Sequence, residues 1–105
     1  MKEVIRAIEK NSNRLDAIRR VLGKEELLAG LAEEAGEVVQ AASKYRRSLN
    51  GINVTDVPPI AADENLQEEL ADLLLYAVIV GVDEGLIAET IYKKITRWWV
   101  RLGVD

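Results

Sequence analysis

Acidic side chains occur in two short groups, and each group lies inside an apolar stretch of the chain. The groups are Glu33-Glu34-Ala35-Gly36-Glu37, within residues 27–39, and Glu69-Leu70-Ala71-Asp72, within residues 66–82. Because burying a charge is costly, carboxylates are seldom placed in apolar helices without a partner. The chain has no His and no Cys. The expected partner is therefore a hard cation that binds through oxygen.

Helical geometry predicts how the acids of the first group are oriented. At about 100° per residue, the apolar stripe of this helix centres near Leu31 and Val38. Glu34 lies about 60° from that centre, at the edge of the stripe. Glu37 lies about 60° further round, and Glu33 points furthest out. Glu34 and Glu37 are therefore the acids of this group that are expected to share a site.

The second group repeats the spacing of the first. Glu69 and Asp72 are separated by three residues, as are Glu34 and Glu37, so the carboxylates of each pair can meet on one helix face. Two such pairs facing each other would form a four-carboxylate site that needs Mg²⁺ or Mn²⁺ as counter-charge. Either group alone is more commonly a solvated helix face. The matched spacing on two apolar helices favours the metal site.

An all-α fold with four helices is expected to position these acids. Apolar residues recur at helical spacing and no strand pattern is evident. The predicted helices cover about residues 2–22, 24–47, 64–84 and 86–102, in a single domain over 1–105. The connecting segment of about 48–63 contains Asn50-Gly51 and Pro58-Pro59, which are turn signals. It is expected to be either a lid or a simple connection.

Four local signals set the predicted helix ends. Asn11-Ser12-Asn13 is expected to kink or split the first helix, and Gly23 to end it. Asp63 or a neighbour is expected to cap the third helix. Gly85 is expected to end the third helix.

Composition excludes several classes of partner. The 105 residues carry a net charge of −4, which argues against nucleic acid polymers and anionic membranes. Without Cys there is no disulfide, thiolate chemistry or Cys-ligated zinc. The N-terminal residues MKEVIRAIEK are charged throughout, and the longest apolar run is about 10 residues, too short to span a bilayer. A cytoplasmic protein is expected.

Taken together, the two groups resemble a known signature. Glu33-Glu34-x-x-Glu37 followed by Glu69-x-x-Asp72 is similar to the motif pair of the MazG-like, all-α nucleoside triphosphate pyrophosphohydrolase superfamily. The residues that flank the two motifs also agree with the superfamily pattern. They are Leu31-Ala32 before the first motif and Leu73-Leu74-Leu75 after the second. The resemblance extends over roughly residues 24–100. Relatives in that superfamily include dimeric dUTPases, dCTP pyrophosphatases and phosphoribosyl-ATP pyrophosphatase.

The resemblance implies a reaction and a set of site residues. The reaction is Mg²⁺-dependent hydrolysis, with Mn²⁺ as a possible substitute, between the α- and β-phosphates of a nucleotide, giving a monophosphate and pyrophosphate. The implied metal ligands are Glu34, Glu37, Glu69 and Asp72. Glu33 is assigned the role of an outer base or of a residue that orients water.

Three further residues are expected to contact the nucleotide. Lys94-Ile95-Thr96-Arg97 on the last helix is similar to a basic motif that contacts phosphates in the superfamily. Lys94 and Arg97 could equally complement the C-terminal end of that helix. Tyr76 lies on the Glu69 side of the third helix and is expected to line the pocket.

The third helix carries more apolar surface than one packed face requires. Leu73, Leu74, Ala77 and Val80 suffice for one face, and a second is formed by Leu75, Val78, Ile79 and Val82. A homodimer or a dimer of dimers would cover the second face. The alternative function is therefore a non-catalytic module for helical oligomerisation or metal binding.

Overall fold

The computed structural model describes residues 1–50 and 57–103, and they form four α-helices. The helices are α1 (Lys2–Lys10), α2 (Ser12–Asn50), α3 (Pro59–Val80) and α4 (Glu84–Leu102). No strand occurs in these ranges. The prediction of an all-α fold with four helices is confirmed. Within the same ranges, no helix combines the length and apolar character needed to cross a membrane.

The predicted first helix is divided at two places. α1 ends at Lys10, with Asn11 as its C-terminal cap, and α2 begins at Ser12. α2 then passes through Gly23, where φ is 72° and ψ is 164°. A positive φ of this size is readily adopted only by glycine, so the chain bends at the predicted helix boundary. The residues after Gly23 form the longer part of α2.

The bounds of α3 differ from the predicted 64–84 at both ends. α3 begins at Pro59, which suits the first helical position because that position needs no backbone N–H donor. Asp63 is therefore inside the helix and does not cap it. Of the predicted loop 48–63, residues 48–50 and 59–63 are helical. Residues 51–56 lie outside the described residues.

The end of α3 was assigned to the wrong glycine. α3 ends at Val80 because Gly81, with φ of 121°, leaves helical geometry. Asp83 then caps α4, since its carboxylate accepts a hydrogen bond from the backbone N–H of Leu86 at 3.0 Å. Gly85 therefore lies in the first turn of α4.

α2 and α3 form an antiparallel helical hairpin, and the buried apolar residues of the described ranges lie on these two helices. Among the described residues, α2 and α3 are the pair of helices that make an extensive contact. The buried apolar residues are Leu15, Leu27, Ala41, Ala62 and Ile79. Ile79, which was predicted for a second, outer face, lies in the core with Leu15 and Leu27, and Ile8 of α1 packs against them. This core fixes how the acids of α2 and α3 face each other.

α4 contrasts with the hairpin because none of its residues is buried. Apolar residues at helical spacing form a stripe along it, which consists of Ile87, Ile91, Ile95, Trp98 and Leu102. All five side chains are exposed, from 46% for Ile87 to 73% for Leu102. A stripe of this kind normally faces a packing partner.

Candidate metal centre

Glu34 lies on the face of α2 that packs against α3. Leu31 and Val38 are its neighbours on that face, and all three side chains are half-buried. Glu33 and Glu37 are exposed. Residues spaced by three and four share one face of a helix, so Glu34 takes a position that a core residue would otherwise hold.

α3 presents two acids to this part of α2. Glu69 is half-buried, and Asp72, which follows it by nearly one helical turn, is exposed. Carboxylate oxygens of Glu34, Glu69 and Asp72 lie within 4.8 Å of one another. We call these three side chains the acidic cluster.

Like charges and partial burial disfavour ionisation in the acidic cluster. Partial burial is the main cause that raises the pKa of Glu34, followed by the charges of Asp72, Glu69, Glu33 and Glu37. Partial burial also raises the pKa of Glu69 most, followed by the charges of Glu37, Asp72 and Glu68. No lysine or arginine of the described ranges is among these causes. A bound cation would relieve the repulsion.

Glu37 borders the acidic cluster. The carboxylate oxygens of Glu37 are not among those of the acidic cluster, which lie within 4.8 Å of one another. Its charge nevertheless raises the pKa of both Glu34 and Glu69. Of the four predicted metal ligands, the structure therefore brings three together and holds Glu37 at their exposed rim.

The donor atoms of the acidic cluster suit a hard divalent cation. Carboxylate oxygens are the preferred protein ligands of Mg²⁺, Mn²⁺ and Ca²⁺. The mutual approach of three carboxylates, whose charges repel, is the arrangement that such an ion stabilises. The chain offers no imidazole or thiolate that would favour a softer metal.

Comparison with known proteins places this site in a family. A family model of the MazG nucleotide pyrophosphohydrolase domain matches residues 22–97. The chain belongs to the MazG family. No curated protein matches the chain in a sequence search. No solved structure matches it either.

The family match covers the acidic cluster and most of α4. It begins at the bend of α2, so α1 and the first turns of α2 lie outside it. The family consists of nucleotide pyrophosphohydrolases, which are hydrolases. The resemblance stated from the acidic motifs is confirmed at the level of the family.

Lys94 and Arg97 of this MazG domain lie on α4, apart from the acidic cluster. Both side chains are exposed, and α4 makes no extensive contact with α2 or α3 in the part of the chain that the structure describes. Neither cation is among the groups that shift the pKa of Glu34 or Glu69. One chain alone therefore does not bring the predicted phosphate contacts to the cluster.

Tyr76 lies beside the acidic cluster. On α3 it is one turn beyond Asp72, and its ring covers Gly30, which is one turn before Glu34 on α2. The ring packs on the core of Leu27 and its neighbours. Within the described ranges, the hydroxyl group makes no hydrogen bond.

The sequence did not predict a cleft that lies further along the α2–α3 hairpin. Its volume is about 570 Å³, and its walls are Ala42, Tyr45, Arg46, Leu49, Asn50 and Leu66. Leu66 precedes Glu69 by about one turn, so the cleft begins next to the acidic cluster. Its size is within the range of small-molecule pockets. The sequence signal that could have indicated this cleft is the cation Arg46 next to Tyr45, a residue on the apolar side of α2.

Proposed function

We propose that this chain is a Mg²⁺-dependent nucleotide pyrophosphohydrolase. It would cleave a nucleoside or deoxynucleoside triphosphate, or a modified nucleotide, to the monophosphate and pyrophosphate. The observation that carries this proposal is the convergence of Glu34, Glu69 and Asp72 in a chain of the MazG family.

Four carboxylates are proposed to hold the metal. Glu34, Glu69 and Asp72 would bind it directly, and Glu37 would join them from the rim. When bound, Mg²⁺ supplies Lewis-acid chemistry, since it polarises phosphoryl oxygens and lowers the pKa of water. Mn²⁺ has the same preference for oxygen ligands and is expected to substitute.

The other site residues are proposed to handle the proton and the substrate. In the reaction, water adds across the anhydride bond between the α- and β-phosphates, and the bridging oxygen leaves with pyrophosphate. Glu33, exposed beside the acidic cluster, would orient the water and accept its proton. Lys94 and Arg97 would neutralise charge on the phosphates, and the Tyr76 hydroxyl would donate a hydrogen bond to the nucleotide.

A homodimer, or a dimer of dimers, is part of this proposal. The chain exposes 8611 Å², whereas a folded monomer of 11.7 kDa is expected to expose about 5,900 Å². In a dimer, the excess of about 2,700 Å² per chain would correspond to about 5,400 Å² of total interface, at the upper end of the range for obligate dimers. The exposed apolar stripe of α4 would supply much of this interface. Burial of this stripe in a dimer would also place Lys94 and Arg97, which lie on the same helix, close to the partner subunit.

Pyrophosphate release from a nucleotide panel tests the reaction. The panel contains the common triphosphates, modified nucleotides and phosphoribosyl-ATP, each with Mg²⁺, Mn²⁺ or EDTA. We expect metal-dependent release that Glu37→Gln and Asp72→Asn reduce strongly, while Glu26→Gln, an exposed control on α2, does not. Absence of cleavage with either metal, or full activity in both site variants, would rule out this enzyme with these ligands.

The exposed face of α4 favours a second candidate function. A non-catalytic module would use that face for oligomerisation, and its acids would be structural or would bind metal without turnover. It differs from the enzyme in one measurable respect. It would associate, and could bind Mg²⁺, but would release no pyrophosphate from any nucleotide in the panel.

A further inference from the structure

Gly30 and Tyr76 form a close contact between the two helices that carry the acidic cluster. A Cβ atom built on Gly30 would lie 2.8 Å from the phenol oxygen of Tyr76 and closer still to ring carbons Cε1 and Cζ. Carbon atoms in contact are normally about 3.5–4.0 Å apart. The ring is therefore seated on bare backbone, where no other residue type leaves room for it.

The side chain of Tyr76 also contacts the apolar core. Tyr76 is half-buried and packs against the core formed by Leu15, Leu27 and Ile79. A methyl group at Gly30 would require the outer part of the Tyr76 ring to shift, or α2 and α3 to move apart. Interaxial distances of packed helices depend on the side chains at their contact, and glycine permits the closest approach.

This contact is one helical turn from the carboxylates. Gly30 and Glu34 are four residues apart on α2, and Asp72 and Tyr76 are four residues apart on α3. Residues with this spacing lie on the same helix face. A change in helix separation at Gly30 would therefore be transmitted to the distances among Glu34, Glu69 and Asp72.

We propose that the seating of Tyr76 on Gly30 sets the α2–α3 separation at the acidic cluster, which makes both of them positioning residues of the metal site. The inference rests on the proposed metal-dependent function. Mg²⁺ demands a small, near-ideal octahedral site, whereas Ca²⁺ accepts longer and more variable distances. A wider cluster should therefore lose Mg²⁺ affinity more than Ca²⁺ affinity.

The chain provides a matched control. Gly36 lies in the same helix, and a Cβ atom there would meet nothing within 4 Å. Gly36→Ala should stabilise α2 slightly, as is usual for this exchange in a helix interior. It should leave Mg²⁺ and Ca²⁺ affinities unchanged. Any effect specific to Gly30→Ala is then due to contact with Tyr76 and not to helix propensity.

Calorimetric titration of each variant with MgCl₂ and with CaCl₂ tests the proposal. Gly30→Ala should weaken Mg²⁺ binding by about tenfold to a hundredfold, the usual effect of disturbing support around metal ligands, and Ca²⁺ binding less. The double variant Gly30→Ala/Tyr76→Ala should recover part of the loss. Tyr76→Phe should keep wild-type Mg²⁺ affinity because it keeps the ring.

Two outcomes would overturn the inference. One is wild-type Mg²⁺ affinity in Gly30→Ala; the other is equal weakening of both cations without recovery in the double variant, which would indicate general destabilisation. If Gly30→Ala does not fold, Tyr76→Leu tests the same contact. Without the ring the helix separation is no longer fixed, so Mg²⁺, which demands fixed ligand distances, should lose more affinity than Ca²⁺, though less than Gly30→Ala would cause. Pyrophosphate release by the wild type is read separately, so a wild type that binds Mg²⁺ without cleaving nucleotides refutes the proposed function alone.

Discussion

Arg19 and Ile79 are 60 residues apart in the chain, and the Nε–H of Arg19 donates a hydrogen bond to the carbonyl oxygen of Ile79 at 2.7 Å. A second guanidinium nitrogen, Nη2, donates to the carbonyl oxygen of Val78 at 3.3 Å. The last carbonyls of a helix have no partner within it, and its C-terminal end attracts cations. Arg19 thus ties the part of α2 before the bend to the end of α3.

Replacing Arg19 should loosen the hairpin without changing the metal site. Arg19→Ala removes both bonds together with the exposed ion pair between Arg19 and Asp16 at 2.8 Å. It is expected to lower the free energy of unfolding by about 1 kcal/mol, mostly through the two bonds to α3, because exposed ion pairs contribute little. Urea unfolding measures the change. Arg20→Ala, at the exposed neighbouring position, is the control. Equal stability of the wild type and Arg19→Ala would show that the two bonds do not support the fold.

Without metal, the acidic cluster should destabilise the protein at neutral pH. The pKa values of Glu34 and Glu69 are raised in the folded state by partial burial and like charges. The folded state therefore holds protons that the unfolded state has released, and stability falls as the pH rises above about 4.3, the ordinary pKa of glutamate. Urea unfolding in EDTA across this range checks the sign.

Addition of Mg²⁺ should counteract this loss. Metal binds only the ionised cluster of the folded state, so its stabilisation should grow as the pH rises. Unfolding curves with Mg²⁺ and with EDTA should converge at low pH and separate towards neutral pH. A gap that stays constant or narrows with rising pH would contradict a carboxylate metal site.

Glu34→Gln should separate stability from function. The amide keeps the shape of the side chain but removes one charge from the cluster, so the metal-free variant should melt at a higher temperature than the wild type at neutral pH. Mg²⁺ should no longer raise its melting temperature appreciably. Glu26→Gln should show neither effect. If metal-free Glu34→Gln melts at a lower temperature than the metal-free wild type, the Glu34 carboxylate is not destabilised by its acidic neighbours.

A charge on the apolar face of α4 should disrupt association. Ile95 is 59% exposed in the centre of the stripe, so Ile95→Glu should produce monomers if this face is an interface. Light scattering during size-exclusion chromatography measures the mass. The control is Lys93→Gln, which removes only an exposed ion pair with Glu89 at 3.0 Å. A monomeric wild type would contradict the proposed dimer.

The sequence predicted the helical class and the orientations of Glu33 and Glu34, because both depend on local periodicity. Helical geometry placed Glu34 at the edge of the apolar stripe and Glu33 furthest from it. In the structure Glu34 is half-buried and Glu33 is exposed. This agreement follows from the fixed rotation per residue of an α-helix.

Features that depend on competing local signals, or on contacts distant in sequence, were not predicted. Gly81 and Gly85 are both possible helix ends, and the choice follows from Asp83 capping α4. Ile79 was assigned to an outer face because its core partners Leu15 and Leu27 are remote in sequence. The seating of Tyr76 on Gly30 likewise depends on how two helices meet.

The most direct test of the central claim is ³¹P NMR of the products formed from whichever nucleotides of the panel are consumed. With Mg²⁺, the account predicts equal amounts of nucleoside monophosphate and pyrophosphate from the wild type. It also predicts strongly reduced product from Asp72→Asn. A nucleoside diphosphate with inorganic phosphate, or undiminished turnover in Asp72→Asn, would contradict the claim that the acidic cluster serves pyrophosphohydrolysis.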